Sequence, residues 1–354
     1  MAQINSSEEI IPEIKKLADK LAGATLPPDL HESIATSIER LKLALKFENY
    51  SRNLEEVSRY LDWVCGLPWN KKTDDILDLN YSRKILDENH YGLSQMKERI
   101  LEYLAVLKLQ KERSSAQKIR APILCFVGLV GTGKTTLAYS IAQSLGRKIS
   151  RIPFGGLGDP AFLRGRSRTL PGAEPGQVIK ALKSAGAKNP VILLDEIDRV
   201  VEESRATIMG VLVELLDPEQ NERFTDNYID FPFDLSEVLF IAAANNVTNI
   251  STAVLDRLEP MQMPSYTDEE KITIGQKYIL HKTMMAMGLT AADLEISATI
   301  WPKIVRPLGF DAGVRTLERN ISGICRKVAK MIIDGNRHQV IINEENLKDF
   351  VQTW

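Results

Sequence analysis

The stretch GLVGTGKTT, Gly128 to Thr136, directly follows the apolar run ILCFV at positions 123–127. It fits the pattern G-x-x-x-x-G-K-[ST], with Lys134 and Thr135 as its last two positions. Glycines in such a loop let successive backbone N–H groups face one anion, and the next helix adds its positive end. Because a strand precedes the loop and a helix follows it, the stretch predicts a cradle for the phosphates of ATP or ADP.

Two residues of the loop receive a specific role in this prediction. Lys134 is expected to reach the β- and γ-phosphates, and the hydroxyl of Thr135 to hold Mg²⁺. The residues assigned to nucleotide binding in the loop are Gly128, Leu129, Val130, Gly131, Thr132, Gly133, Lys134, Thr135 and Thr136.

A second motif, VILLDEID at Val191–Asp198, is an apolar strand that ends in acidic residues. Asp195 is placed to bind Mg²⁺ through water, and Glu196 to orient and deprotonate an attacking water molecule. Taken alone, the acidic pair fits equally well as the cap of a following helix. Together with the phosphate loop upstream, the catalytic interpretation is favoured, and it argues against a small-molecule kinase, which needs no water-activating glutamate.

Short apolar runs alternate with helical stretches in this part of the chain: ILCFV, RKISRI, PVILLD and VLFIAAA. The alternation predicts an α/β fold with a parallel sheet wrapped by helices, in which ligands bind at the carboxyl ends of the strands. The run FIAAANNV ends in amides, and Asn245 can place its side chain between water and the γ-phosphate. By spacing alone, Arg257 and Arg315 are not distinguished from solvated charges.

Length and composition limit the classes of protein. The chain has 354 residues, of which 44% are hydrophobic and 26% charged, and its net charge is −2. This balance predicts a globular protein of two or three domains with no bulk attraction to nucleic acid or to anionic membranes. The N-terminus lacks a signal-peptide core and no apolar run is long enough to span a bilayer, so we expect a cytoplasmic location without membrane contact. The 3 cysteines form no CxxC pair, which argues against a disulfide framework or a zinc site.

Helical patterns flank the α/β part on both sides. Three amphipathic stretches near the N-terminus each follow a capping-box pair, which predicts a small helical bundle with a scaffold or partner-docking role: Ser6 with Glu9, Asp29 with Glu32, and Asn53 with Glu56. A further helical stretch is expected from about Ser82 to Lys111, broken at 90–93. Thr267 and Glu270 form another capping box. Beyond it, an apolar stripe in Asp311–Ile333 indicates a separate helical lid. We therefore predict three domains at residues 1–76, 77–265 and 266–354.

The order of the motifs resembles that of AAA+ ATPases: phosphate loop, DE strand, Asn strand, LDR, and an arginine in a helical lid. Longer strings are similar to the ATPase module of Lon proteases, the endopeptidase La family, namely HYGLSQMKERILEYLAV, LGRKISRIPFGGLGDPAFLRGRSRT, LLDPEQN, FPFDLSEVLFIAAANN and DAGVRTLERNI. YLDWVCGLPW resembles the end of the helical segment that precedes the module. The resemblance runs from about residue 10 to the C-terminus.

The resemblance implies a role for each matching position. Lys134 and Thr135 become the residues of the first Walker motif, and Asp195 and Glu196 the acids of the second. Asn245 becomes the sensor of the γ-phosphate. Two further residues gain functions that spacing alone does not give: Arg257 is the arginine finger acting on a neighbouring subunit, and Arg315 the second sensor acting on the chain's own nucleotide. Tyr91 and Gly92 lie where Lon proteins enclose the adenine.

The family also implies partners. Its members assemble as hexameric homo-oligomers and thread unfolded protein through a central pore into a proteolytic chamber. They usually carry an N-terminal substrate-recognition domain and a C-terminal protease domain with a Ser–Lys dyad, and neither is found in these 354 residues. The chain by itself is therefore expected not to cleave peptide bonds.

Three segments depart from the family pattern. Leu170 and Pro171 stand where an aromatic and an aliphatic residue usually grip the threaded polypeptide, which predicts a weaker grip or none. Ala206, Thr207 and Ile208 replace a Gly-Asp-Pro helix start, so a locally different second pore loop is expected on the same fold. Leu129 and Val130 replace two prolines in the phosphate loop, where we expect binding to survive.

Two alternative functions stay open on the sequence. A stand-alone AAA+ protein remodeller differs from a Lon module only in what the gene encodes beyond this segment. A DNA-acting AAA+ ATPase predicts hydrolysis stimulated by DNA, and the arginine cluster Arg164, Arg166 and Arg168 is its one candidate contact. The cluster lacks interleaved aromatic residues, so we expect pore lining or subunit contact instead.

Overall fold

The computed structural model describes residues 6–44, 50–113, 123–306, 313–335 and 339–351. Its first part is a bundle of three helices that contact one another pairwise, as predicted: α1 (Ser6–Ala22), α2 (Pro28–Ala44) and α3 (Tyr50–Val64). Their apolar stripes meet in a core that includes Leu21, Ile34 and Leu61. The side chains of Ser6, Glu9 and Asn53 lie outside the described residues.

Two of the predicted helix starts are wrong by a few residues. Helix α2 begins at Pro28, so that Asp29 lies within its first turn instead of capping it. Proline suits the first helical position because its fixed φ is helical and its missing N–H would have no partner there. Helix α3 begins at Tyr50, ahead of the predicted cap at Asn53.

The next two helices agree with the predicted break at residues 90–93: α4 (Leu79–Asn89) and α5 (Ser94–Arg113). Helix α4 starts before the predicted Ser82, because Asp78 is its cap. The carboxylate of Asp78 accepts hydrogen bonds from the backbone N–H groups of Asn80 (2.8 Å) and Tyr81 (3.3 Å).

An α/β unit follows, with a five-stranded sheet at its centre. Its elements are β1 (Ile123–Val127), α6 (Lys134–Leu145), β2 (Ile149–Pro153), α7 (Ala161–Arg164), α8 (Gln177–Ala185), β3 (Val191–Asp195), the 3₁₀ turn Glu202–Ser204, α9 (Arg205–Leu216), the 3₁₀ turn Asn221–Arg223, the short pair β4 (Phe224–Thr225) and β5 (Pro232–Phe233), β6 (Leu239–Ala244), α10 (Thr252–Leu255) and β7 (Leu258–Gln262). The predicted parallel α/β architecture is confirmed.

The sheet has the order β2-β3-β6-β1-β7, and all of its neighbouring strands are parallel. The carboxyl ends of β1, β3 and β6 therefore lie side by side, and the two Walker motifs and Asn245 follow these ends. The edge strand β7 was not predicted, since Pro260 interrupts its pattern. Proline is tolerated there because an edge strand need not donate on both sides.

Alternate residues of each strand point to opposite faces of the sheet, and each face has its own core. Cys125, Ile192 and Ala242 lie in one, and Phe126, Leu193 and Ile241 in the other. The first core is continuous with the three N-terminal helices, for Trp69 packs on Phe231 and Phe233 with ring centroids 5.9 and 4.9 Å apart. The N-terminal bundle is thus joined to the α/β unit by buried apolar surface.

The C-terminal part has a hydrophobic core of its own around Trp301. Its elements are α11 (Asp268–Ile274), the π-helical turn Gly275–Ile279, α12 (Leu280–Ala286), β8 (Leu294–Ile296), the 3₁₀ turn Ala298–Ile300, α13 (Trp301–Val305), α14 (Arg315–Ile333), β9 (Val340–Ile342) and α15 (Leu347–Phe350). The predicted capping box of Thr267 and Glu270 is present. In α14 the predicted stripe is buried from Leu317 to Val328, and Val314 is its N-cap. Asp311 lies outside the described residues. The domain boundaries stay a prediction.

Among the described residues, no helix combines the length and the apolar composition that crossing a bilayer requires.

Candidate functional site

The phosphate loop connects β1 to α6 in a conformation that only glycine adopts easily at two positions. Gly131 and Gly133 have φ of 82° and 97°, and Gly133 is the N-cap of α6. The hydroxyl of Thr132 donates to the carbonyl oxygen of Leu129 (2.9 Å) and that of Thr136 to Gly133 (2.9 Å), which closes the loop on itself. The side chains of Leu129 and Val130 are exposed. The loop therefore has the shape of a phosphate cradle.

Lys134 is buried beneath this loop. Its Nζ donates to the carbonyl oxygens of Gly128 (2.6 Å) and Leu129 (3.0 Å) and to Oδ1 of Asn245 (3.2 Å). Burial lowers the pKa of Lys134, while the carboxylates of Asp195 and Asp198 act in the opposite direction. Two of the predicted site residues, one after β1 and one after β6, are thus in direct contact.

Asn245 carries a buried amide nitrogen that has no hydrogen-bond partner among the described residues. A buried N–H donor without a partner is costly, and such a donor near a phosphate loop fits a phosphate oxygen or a water molecule. The backbone N–H of Asn245 donates to Asp198 Oδ1 (3.1 Å), and that of Asn246 to Asp198 Oδ2 (3.4 Å). Asp198, which sequence reasoning left without a role, therefore joins the residues after β6 to the loop after β3.

Asp195 ends β3 with a carboxylate that is only 6% exposed. Its Oδ2 accepts a hydrogen bond from Nε of Arg151, at 2.7 Å, on the neighbouring strand β2. Sequence reasoning missed Arg151, because nothing in RKISRI marks it, and only the pairing of β2 with β3 brings it to the acidic motif.

Glu196 follows Asp195 in a left-handed conformation, with φ of 58°. Non-glycine residues rarely adopt this region, and such strain often occurs at functional sites. The carboxylate lies close to Gly155, where an added Cβ would come within 2.5 Å of Oε2. Arg199 lies 3.6 Å from Oε1. Glu196 therefore lies directly after β3 with its carboxylate beside Gly155, and its side chain is 34% exposed.

The C-terminal lid touches the phosphate loop directly. The backbone N–H of Val314 donates to the carbonyl oxygen of Gly131 (3.0 Å), and a Cβ on Gly131 would lie 3.2 Å from Cβ of Arg315. Tyr266 Oη donates to the carbonyl oxygen of Thr132 (3.3 Å). The predicted second sensor Arg315 thus starts α14 beside the loop, as its predicted action on the chain's own nucleotide requires.

Tyr91 and Gly92 lie in the break between α4 and α5, next to α6. His90 contacts Ser140 of α6 (Nε2 to Oγ, 2.9 Å), and burial lowers the pKa of His90 to about 4, so that it is neutral near pH 7. The ring of Tyr91 lies 6.5 Å from that of Tyr278 in the lid. Tyr278 was not singled out from the sequence, since no motif surrounds it.

Arg257 lies far from the phosphate loop of its own chain. Its carbonyl oxygen accepts from the N–H of Ile123, and Leu258 pairs with Ile123, so Arg257 lies at the amino end of the sheet. The 5 residues of β1 separate it from the loop, a span of roughly 16 Å at about 3.3 Å per residue. The structure therefore does not bring Arg257 to the site formed by the other predicted residues.

The predicted pore segment forms consecutive turns at the molecular surface. The N–H of Leu170 donates to the carbonyl oxygen of Ser167 (3.0 Å), and that of Ala173 to Leu170 (3.2 Å). Leu170, which precedes Pro171 in this loop, is 52% exposed. An apolar side chain is thus exposed on a loop that is closed by its own backbone hydrogen bonds. The predicted second pore loop was placed around Ala206, Thr207 and Ile208. In the structure this region is formed by the 3₁₀ turn Glu202–Ser204 and the start of helix α9.

All members of the arginine cluster have partners within the chain. Arg164 pairs with Glu214, Arg166 with Asp159 at 2.8 Å, and Arg168 with Asp230 at 3.8 Å. The guanidinium of Arg168 also lies 3.9 Å from the ring centre of Tyr60 in α3, a cation–π distance. The cluster therefore neutralises local acids and joins the N-terminal bundle to the pore segment.

Comparison with known proteins agrees with this geometry. Residues 124–265 match the family model for the ATPase family associated with various cellular activities (AAA). Residues 285–341 match the model for the Lon protease AAA+ ATPase lid domain.

Individual relatives are similar over almost the whole chain. The Lon protease of Desulforamulus reducens is 44% identical over 331 residues, which cover 94% of this chain and 40% of that protein. Lon protease 1 of Bacillus subtilis is 42% identical over 349 residues, or 99% of this chain and 44% of that protein. The chain thus spans less than half the length of these relatives.

The phosphate loop, the sheet order and the family match together define an AAA ATPase, a class of protein that binds nucleotide. The match to the lid model and the similar relatives narrow this class further. The chain belongs to the Lon family and corresponds to the ATPase portion of a Lon-type protease.

Proposed function

We propose that the chain binds Mg²⁺-ATP at the carboxyl ends of β1, β3 and β6, hydrolyses it only when assembled head-to-tail with further copies, and uses the energy to unfold and move protein substrates. The observation that carries the proposal is the position of Arg257 at the opposite end of the sheet from the phosphate loop. An arginine there cannot serve its own nucleotide, but it can complete the site of a neighbouring copy.

Three residues around the phosphate loop have the chemistry that ATP hydrolysis needs. Glu196, whose carboxylate lies beside Gly155, accepts a proton from the attacking water. Asn245 offers its unpaired amide N–H to the water or to the γ-phosphate. Lys134 exchanges its bonds to the loop carbonyls for bonds to phosphate oxygens.

The hard oxygen donors of Thr135 and Asp195 suit Mg²⁺. When bound there, Mg²⁺ would neutralise charge on the phosphates. The bond from Arg151 leaves Oδ1 of Asp195 for this purpose and holds the carboxylate in a fixed orientation.

Arg315 and Arg257 would act on the phosphates from two different chains. Arg315 reaches the nucleotide from the lid of the same chain, where α14 begins beside Gly131. Arg257 reaches the nucleotide of the next subunit. A contact of this head-to-tail kind closes into a ring or continues as a helix, and the family resemblance favours a hexameric ring.

The assembly requirement predicts an ATPase rate that depends on protein concentration. With a finger supplied by a neighbour, activity per molecule should rise by at least about 10-fold between dilute and concentrated protein, since arginine fingers contribute 10³ or more to kcat. The measurement is steady-state phosphate release across a concentration series, with mass determined by sedimentation at each point. An activity per molecule that stays the same while sedimentation shows the protein passing from monomer to assembly would contradict the proposal.

The pore segment supports protein as the substrate of the motor. Leu170 offers an exposed apolar contact on a loop held by its own turns and by Arg168 against α3. Such a contact suits the side chains of an unfolded polypeptide without selecting a sequence. No observation on the described residues favours DNA, because Arg164, Arg166 and Arg168 have intrachain partners.

The grip of this loop can be tested by changing the exposed side chain. Leu170→Tyr should increase the stimulation of ATP hydrolysis by an unfolded protein such as casein by about 2- to 5-fold, because tyrosine adds a wide flat face. Leu170→Gly should remove the stimulation and leave basal hydrolysis unchanged. Ile341→Gly, at an exposed position of the lid, is the matched control. If neither Leu170 variant changes the stimulation, the loop does not contact substrate.

A further inference from the structure

Arg257 is bound by an acidic residue that no motif-based role explains. Its Nε and Nη2 donate to Oδ2 of Asp217 at 3.2 and 2.6 Å, and Nη1 donates to the carbonyl oxygen of Ala253 at 2.7 Å. Asp217 belongs to LLDPEQN, one of the strings that resemble the Lon family. It lies 40 residues before Arg257, so only the fold brings the two together.

Asp217 is itself held firmly. It follows α9 as the C-cap residue, and its backbone N–H donates to the carbonyl oxygen of Val213 (2.9 Å). Its Oδ1 accepts from the backbone N–H groups of Glu219 (2.9 Å) and Gln220 (3.4 Å). The two oxygens thus have separate tasks, one in the turn and one on the arginine.

The guanidinium is fixed but not saturated. Arginine has five N–H donors in one plane, and the contacts with Asp217 and Ala253 use three of them. Two donors remain for an oxygen from outside the described chain, and the side chain is still 28% exposed. Hydrogen bonding with Arg257 also lowers the pKa of Asp217, so that its carboxylate stays charged to a lower pH than that of an ordinary aspartate.

We propose that Asp217 is the positioning residue of the arginine finger: it fixes the plane of the Arg257 guanidinium at the subunit surface, so that the two remaining N–H donors face the γ-phosphate of the neighbouring copy. The proposal rests on the action of Arg257 across subunits. A long flexible arginine loses rotamer freedom when it binds a phosphate, and fixing it beforehand reduces that loss.

Asp217→Asn is the sharpest variant. The asparagine keeps an oxygen for the turn at Glu219 but presents an N–H donor to the donors of Arg257. In assembled protein we expect kcat for ATP hydrolysis to fall about 10- to 100-fold, as a misplaced catalytic group does, while the affinity of the chain's own site for a fluorescent ATP analogue stays within about 2-fold. Asp217→Glu, which retains the charge, should recover part of the loss.

Two comparisons separate positioning from a structural role. In an Arg257→Ala background, Asp217→Asn should have no further effect on kcat, because the group it positions is gone. Asp234→Asn is the matched control, since Asp234 also caps a turn at Ser236 and pairs with a cation, Lys188, away from the site. It should leave kcat unchanged.

Each result has a defined meaning. If Arg257→Ala lowers kcat and Asp217→Asn does not, or raises it, the positioning role is overturned while the proposed function stands. A further fall of kcat in the double variant would overturn it too, because Asp217 would then act on the fold. If Arg257→Ala itself leaves kcat unchanged, the action across subunits fails, and this inference fails with it.

Discussion

Replacing Glu196 by glutamine is expected to abolish ATP hydrolysis and to leave ATP binding intact. Glutamine has the same size and can occupy the same left-handed position beside Gly155, but its amide cannot accept the proton of the attacking water. General-base catalysis contributes about 10²- to 10⁴-fold, so kcat should fall by that factor. Phosphate release and the binding of a fluorescent ATP analogue measure the two properties separately.

The control for this variant is Glu344→Gln. Glu344 is an exposed glutamate of the lid that pairs with Lys303 at 3.0 Å, and it lies outside the site. The Glu344→Gln protein should hydrolyse ATP at the normal rate. Hydrolysis at the normal rate by the Glu196→Gln protein would show that another group is the base.

The second large effect is expected from Arg257→Ala. Because the fold places Arg257 at the end of the sheet away from the phosphate loop, its loss should lower kcat without weakening nucleotide binding in the same chain. Arginine fingers contribute about 10³- to 10⁵-fold in phosphoryl transfer, so a loss of at least about 10³-fold is expected. Arg83→Ala, which removes an exposed arginine paired with Glu98, serves as the control.

Mixing variants tests the geometry of this effect. The Arg257→Ala protein retains an intact Glu196, and the Glu196→Gln protein retains an intact Arg257. At mixed interfaces one intact site is assembled from two inactive proteins, so activity should return and pass through a maximum near equal proportions. Absence of recovery at every ratio, in assemblies confirmed by sedimentation, would argue against action across subunits.

The grouping of the predicted site residues at one edge of the sheet was predictable from the sequence, because its signals are local. GLVGTGKTT encodes its own turn, since glycines at 131 and 133 allow the left-handed conformations that the loop adopts. VILLDEID and FIAAANNV each combine a buried strand with polar residues at its end, and parallel strands bring such ends together. The contact of Lys134 with Asn245 is therefore a consequence that the pattern contains.

Some elements could not be predicted because their signals are weak or distant. The edge strand β7 contains Pro260, which masks its β pattern. The starts of α2 and α3 differ from the capping pattern, since packing of the apolar stripes outweighs a single cap. Arg151 and Tyr278 reach the site only through strand pairing and docking of the lid.

The sequence by itself determined the class of fold, the phosphate loop, and the positions of Asp195, Glu196 and Asn245 at the carboxyl ends of their strands, because each depends on the identity and spacing of neighbouring residues. Only the tertiary structure decided which way Arg257 faces, that Asp217 holds it, and that Arg168 is fixed by Tyr60 of the N-terminal bundle. These contacts join residues far apart in the chain, and charge pairs of this kind carry no periodicity that a sequence pattern can reveal.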